Sequence, residues 1–369
     1  MFIIHFICLV LLFSIGCSQD KLPENVEIIN GIKHIHNTLP EYIENTPVEF
    51  KLIGKIGDLE TTDENFQLFD PYDVARDNED NIYIVEIGNQ CIKKFNPEHK
   101  FLMKFGREGE GPGEFNVPTS INLDESGNIY ITDGPENRVQ VLDPNGKYLR
   151  QFVFSGYRSF LHVIKSGKYV ISRKKRLNLP FDPEESAVRM VDEKGNLIAG
   201  LGKLRIFDDE RISKAANSLY IAKDSENNIY LSFRNQNRIE KYSPAGKLLY
   251  VMDRQLNFEP FFKVEIRETV FRGQVIDRSP AVFMANVTDR IFTDNKDRLW
   301  ICAFTKQEEE GDKKTDYLQF QVFSSEGEYL FNVPYPSEPH NFFKILGNRL
   351  FLIDTYTEMC VYKFEITEK

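Results

Sequence analysis

Six copies of one short apolar core run through the chain, and no other feature narrows the possible folds so far. They begin at Asn81 (NIYI), Asn128 (NIYI), Lys168 (KYVI), Asn228 (NIYL), Arg298 (RLWI) and Arg349 (RLFL), with starts 47, 40, 60, 70 and 51 residues apart. Self-similarity at a period of about 20–50 residues marks propeller blades or solenoid units. The wider gaps predict insertions. The better copies follow a polar turn: DNEDN before Ile82, DESGN before Ile129, DSENN before Ile229 and DNKDR before Leu299. Gly, Asn and Asp tolerate the left-handed backbone that tight hairpins demand, so each core reads as a strand leaving a hairpin. In LDESGNIYITD (Leu123 to Asp133) the acids around a glycine also suggest a cation loop. An EF-hand loop needs Gly sixth and Glu twelfth, and counting from Asp124 puts Ile129 and Pro135 there, which leaves the turn.

Two further strands joined by a short turn follow the cores: CIKKFNPEHKFLMKF, RVQVLDPNGKYLRQF, AVRMVDEKGNLIAGL, RIEKYSPAGKLLYVM and QFQVFSSEGEYLFNV. With the strand before the first turn (DVAR, SINL, SLYIAK), each unit has four antiparallel strands. Six such sheets around an axis make an all-β, six-bladed β-propeller in which neighbouring sheets bury one another's faces. Burial on both faces explains cores that are apolar at consecutive positions, where a half-solvated strand would alternate. The sixth unit ends at CVYKFEITEK without a fourth strand, while VEFKLIGKIGD from Val48 resembles the outer-strand segment KFLMKFGREGE from Lys100. The N-terminal strand is therefore expected to complete the last blade and close the ring. The expected organisation is a signal peptide over 1–16, a lipidated tether and loosely packed lead-in over 17–46, and the propeller over 47–369.

The stretch FGREGEGPGEFNVPTSINLDESGNIYITDGPENRVQVLDPNGKYLRQF resembles an NHL-type repeat. That pattern has a Gly-rich stretch, a Pro before the inner strand, the turn and core, then Asp, Asn-Arg and an aliphatic strand. Asp133, Asn137 and Arg138 occupy those last places. Blade two matches almost throughout, blades one and four well, and blades three, five and six in their strand cores. The resemblance spans about residues 48 to 366. It implies a place among extracytoplasmic bacterial six-bladed propellers, many of them lipoproteins.

The N-terminus fits that setting. Its apolar run from Phe2 to Ile15 is too short for a comfortable transmembrane helix and reads as a signal-peptide core. Ser14-Ile15-Gly16-Cys17 resembles the bacterial lipobox, which implies lipidation of Cys17, although Ser14 stands where Leu is usual and no Lys or Arg precedes the run. A plain secretory signal and an uncleaved anchor are the alternatives, and all three place the body outside the cytoplasm. Ser18, rather than Asp, after the cysteine favours the outer membrane under the enterobacterial sorting pattern. Cys91, Cys302 and Cys360 are widely spaced, with neither a disulfide framework nor zinc-ligand spacing, and read as buried hydrophobes. A formal charge of -10 argues against a nucleic-acid partner. The body is expected to be a monomer.

In an up-and-down blade the turns between strands one and two and between three and four lie on one face, and here they are short. The other face receives the long segments Gly106 to Pro118, Lys174 to Ser186, Arg254 to Thr288 and Thr305 to Asp316. Long loops on a rigid scaffold are where binding groups usually sit. The phenylalanine-rich insertion from Asn257 is either a recognition arm or a loop packed on the rim, and KQEEEGDKKTD from Lys306 is expected to be a solvated hairpin tip. The second strands end on this face with Glu86, Asp133, Arg173, Phe233, Ala303 and Asp354. The candidate binding residues are Glu86, Asp133, Arg138, Arg173, Arg234 and Asp354. The three acids fall on consecutive blades, as a cation site or pocket wall would require, but an Asp in this place of the resembling repeat also holds the following loop and the nearby Arg138.

Enzyme readings find little support. Calcium-dependent lactonases and phosphotriesterases share the fold and gather six to eight oxygen ligands at the axis. Asp73 and Asn122 are the few candidates here, and the dispersed acidic motifs of those families are missing. A zinc lyase needs several His ligands, whereas only His99, His162 and His340 lie in the body, and His34 and His36 in KHIH lack a third partner. There is no GxSxG, and GREGEGPG fits neither a Walker nor a dinucleotide fingerprint. The expectation is an envelope-tethered propeller that binds a protein, peptide or glycan without catalytic residues, metal or cofactor. The alternative is a Ca²⁺-dependent hydrolase at the channel mouth.

Overall fold

Each polar turn reverses the chain by the same device. Asp124 accepts the N–H groups of Ser126 and Asn128 on one carboxylate oxygen, at 2.9 Å each, and the Asn128 amide (2.9 Å) and Tyr130 hydroxyl (3.1 Å) on the other. The arrangement recurs at Asp77, Asp224 and Asp294, with Arg298 and the Trp300 indole N–H serving at the last. The fourth turn residue adopts positive φ in every case, at Asp80, Gly127, Asn227 and Asp297. Both carboxylate oxygens are thus spent on the turn, and the cation-loop reading of LDESGNIYITD falls away. A Tyr or Trp in the core's third position couples the turn to the strand that leaves it.

A computed structural model describes residues 22–40, 46–134, 138–153, 158–164, 167–174, 182, 184–271, 274–338 and 340–369. Segment 1–16, Cys17 and Asn137 lie outside the described residues, as does the side chain of Arg173. From the axis outward, blade one comprises Pro71–Arg76, Ile82–Glu86, Cys91–Phe95 and Phe101–Phe105, and blade two Pro118–Leu123, Ile129–Asp133, Arg138–Leu142 and Tyr148–Val153. Blade three comprises Arg158–Ile164, Lys168–Lys174, Ser186–Val191 and Leu197–Lys203. Blade four comprises Leu219–Lys223, Ile229–Phe233, Ile239–Tyr242 and Leu248–Arg254. Blade five comprises Thr288–Thr293, Leu299–Phe304, Leu318–Phe323 and Tyr329–Pro334. Blade six comprises Phe342–Leu346, Arg349–Asp354 and Cys360–Glu368, and Val48–Ile56 pairs antiparallel with the last of these to close the ring.

Six apolar clusters fill the six spaces between adjacent blades. The space between blades five and six is the most aromatic, with Trp300, Phe320, Tyr335, Phe343 and the closing strand's Phe50 in mutual ring contact. Cys91, Cys302 and Cys360 are buried in strands, and burial pushes the Cys91 thiol up to about 12.

The lead-in is where the structure departs from a loosely packed segment. Ile32–Asn37 runs parallel to the outer strand of blade four, and Val26–Ile29 pairs antiparallel beyond it, so that sheet has six strands. Ile35 is buried in the space between blades four and five. Asn37 donates to Gly327 O (3.0 Å) and accepts the Tyr329 N–H (3.0 Å). An edge strand offers unpaired N–H and C=O groups, and the lead-in takes them. The insertions also have structure of their own. Glu210–Ala216 is a helix capped by Asp209, and Phe262–Phe271 with Gln274–Met284 forms a two-stranded ribbon. The segment expected to be a solvated hairpin tip is mostly exposed, and it ends in a helical turn, Lys314–Tyr317, whose Tyr317 packs in the core against Phe304.

Candidate functional site

The second-strand acids all turn inward to hold loops. Glu86 accepts the Phe69 N–H (3.0 Å) and the Asn89 amide (2.8 Å) and pairs with Lys93 (3.2 Å), which also donates to Glu64 O and Gln67 O. Asp133 accepts the Asn116 N–H (2.8 Å) and two N–H groups of Arg138 (3.0 and 2.9 Å). Arg138 in turn grips the carbonyls of Gly109, Glu110 and Glu114 in the Gly-rich loop. Asp354 accepts three successive backbone N–H groups, from Tyr356, Thr357 and Glu358. All three acids are buried, as is Arg138. In blade four Phe233 takes the acid's place, and the Arg238 guanidinium lies 3.9 Å from its ring centre.

Deeper in the channel, Lys344 of blade six reaches both carboxylate oxygens of Asp73 of blade one, Oδ1 at 2.9 Å and Oδ2 at 3.2 Å, and Oδ2 also accepts the Ile121 N–H of blade two (2.9 Å). Asn122 donates to Leu161 O (2.9 Å). The two residues considered as calcium ligands therefore work as bridges between blades. Burial, aided by Lys344 and Lys223, pushes the His162 imidazole down to about 3, so it is neutral at ordinary pH. Among the described residues no three His, Cys, Asp or Glu side chains converge as metal ligands.

The mouth above this layer is built differently. The first strands of blades one, two and five each carry one extra residue at their entry, Tyr72, Thr119 and Asp289, opposite a continuous second strand. Such bulges re-aim a side chain and are common beside functional sites. The Tyr72 ring lies 4.6 Å from Phe342, and the Arg290 guanidinium sits 5.4 Å from Phe342 and 5.9 Å from Phe343. Asp289 and Arg290 are half-buried, and neither side chain makes a hydrogen bond or ion pair among the described residues. Burial and Asp289 raise the nearby Tyr220 phenol, while Arg234 and Arg290 act the other way. Arg234 is exposed at this rim, donating to Asn286 (3.2 Å). Of the six candidate residues, Arg234 alone has a described side chain exposed on this face. Tyr72, Asp289, Arg290 and Phe342 were not singled out from the sequence, because an extra strand residue shows only in the pairing register.

The model of a family described as a 6-bladed beta-propeller, DUF5128, matches residues 56–309. The human NHL repeat-containing protein 3 is 28% identical over 130 residues, which are 33% of this chain and 37% of that protein. The match thus spans little more than a third of that relative's length. Among solved structures, a candidate exported protein of Bacteroides fragilis superposes with a TM-score of 0.59 at 11% identity, covering 91% of this chain and 99% of its own. A member of the DUF4221 family from Bacteroides vulgatus does so with a TM-score of 0.58 at 10% identity, covering 88% and 99%. At such identities the likeness speaks for the fold alone.

Proposed function

The chain belongs to the DUF5128 family of 6-bladed beta-propellers, and from that premise we propose that it is a non-catalytic binding protein, tethered to the cell envelope through Cys17, that takes a protein, peptide or glycan at its loop-rich face. The observation that carries this reading is the unpaired side chains of Asp289 and Arg290 beside the tilted Tyr72–Phe342 ring pair at the channel mouth. Polar groups with unmet hydrogen-bonding capacity next to aromatic surface are what a polar ligand needs for both orientation and affinity. Glu86, Asp133, Arg138 and Asp354 serve that face by holding its loops, Arg234 stands on its rim, and the side chain of Arg173 lies outside the described residues. A lipid tether raises the local concentration of such a binder at the membrane.

A photo-crosslinking residue at Arg234, tested in intact envelopes, should capture a partner that the same residue at Asn145 on the short-turn face does not. Capture from neither position, or equally from both, would sink the assignment to the loop-rich face. The anchor has its own test: Cys17→Ala should abolish fatty-acid labelling, and unchanged labelling would refute lipidation at that residue.

A further inference from the structure

The ribbon of Phe262–Phe271 and Gln274–Met284 is a sheet of only two strands, and most of its residues are exposed. Its base is held where Phe262 meets Phe207 (4.7 Å) under Arg205. Farther out it is open to solvent, with Ile266 and Ile276 each 62% exposed. Two strands alone are marginal in water and need further strands or a helix against them; here the helix Glu210–Ala216 contacts both strands, and the sheet edges stay unpaired. The two outer edges are not equivalent. Pro280 lies opposite Ile266. A proline has no N–H to give, so this is a non-hydrogen-bonded pair, and the missing donor blunts the edge of the second strand. By the same alternation Val264, Ile266 and Glu268 direct their N–H and C=O groups to the open edge of the first strand.

We propose that this open edge pairs with the same edge of a second copy of the chain, antiparallel and centred on Ile266, to give a four-stranded sheet across a twofold axis. Charge selects the register. Centred on Ile266, Glu265 lies opposite the partner's Arg267, and Arg267 opposite the partner's Glu265. Centred on residue 265, two Glu265 side chains face each other and Lys263 meets the partner's Arg267. Centred on residue 267, two Arg267 side chains collide. Arg267 makes no ion pair among the described residues, and Glu265 pairs only with exposed Lys263 (2.8 Å). Both are available for the cross-strand pairs, which favour association as like charges oppose it.

Sedimentation of the full chain in detergent micelles should show a dimer. Glu265→Arg or Arg267→Glu alone should weaken it at least about tenfold, and the double exchange should restore it. Ile266→Cys should give a disulfide-linked dimer on mild oxidation, beyond any formed by the parent chain, since hydrogen-bonded partners have Cα atoms about 5.5 Å apart. A monomer at about 100 μM, a scale typical of weak association, would overturn the proposal. So would a dimer indifferent to both charge reversals.

Discussion

The two faces of the ring use similar residues to opposite ends. On the short-turn face Asp77, Asp124, Asp224 and Asp294 repeat one hydrogen-bonding pattern, each carboxylate filled by its own turn and strand. On the loop-rich face Glu86, Asp133 and Asp354 are equally committed, but Asp289 and Arg290, which no other blade repeats, are not. What recurs from blade to blade is scaffold, since it solves a problem every blade has. What occurs once, at a bulge, is free to meet something outside the chain.

The sharpest way to break this contrast is to remove a committed group and an uncommitted one and compare them. Arg138→Met strands a buried carboxylate and frees three loop carbonyls, so urea unfolding should show a loss of about 3–5 kcal/mol. Asp124→Ala removes four acceptor contacts at one turn and should cost about 1–3 kcal/mol by the same measurement. Asp289→Asn and Arg290→Gln should change stability by no more than about 0.5 kcal/mol while abolishing capture at Arg234. If they destabilise as Arg138→Met does, the mouth is scaffold too.

Acid sharpens the contrast further. His340, whose Nε2 accepts the Tyr335 hydroxyl at 2.7 Å while Nδ1–H donates to Glu338 O at 2.6 Å, is held down to about 4 mainly by burial. A folded-state value below the unfolded one means that stability falls as pH drops from about 6.5 toward 4. His36 in the lead-in is the opposite case. It bridges Glu27 (3.0 Å) and Asp253 (2.8 Å), which raise its value, so its contribution is full below about 6.5 and is lost as pH rises through the raised folded value. Amide exchange should therefore be faster at pH 5 than at pH 8 around His340 and, by a smaller margin because His36 is exposed, slower in residues 26–37, once corrected for intrinsic rates. Parallel behaviour in the two segments would remove the distinction.

Much of the scaffold was legible in the chain. The Asp-to-Asn turns, the apolar cores and the likeness of the Val48 segment to an outer strand are local patterns, and the paired strands follow them. The hairpin of VEII and IKHIHN has a local signal in Asn30-Gly31, both at positive φ, but nothing local ties it to blade four. Its partner is an edge more than two hundred residues away in sequence. The helix Glu210–Ala216 lies in an insertion with no repeat to compare it with. At the mouth, Glu86, Asp133 and Asp354 stood out because they align between repeats, and that alignment is also why they are loop holders.

The sequence by itself determined the number of blades, their strand order, the closure by the N-terminal strand and the face that receives the long loops, because each rests on short-range chemistry repeated until it is unmistakable. Only the tertiary structure decided which side chains remain uncommitted. Whether a carboxylate is filled by its own loop or left open at a bulge depends on pairing register and on neighbours from other blades, and sequence separation carries neither.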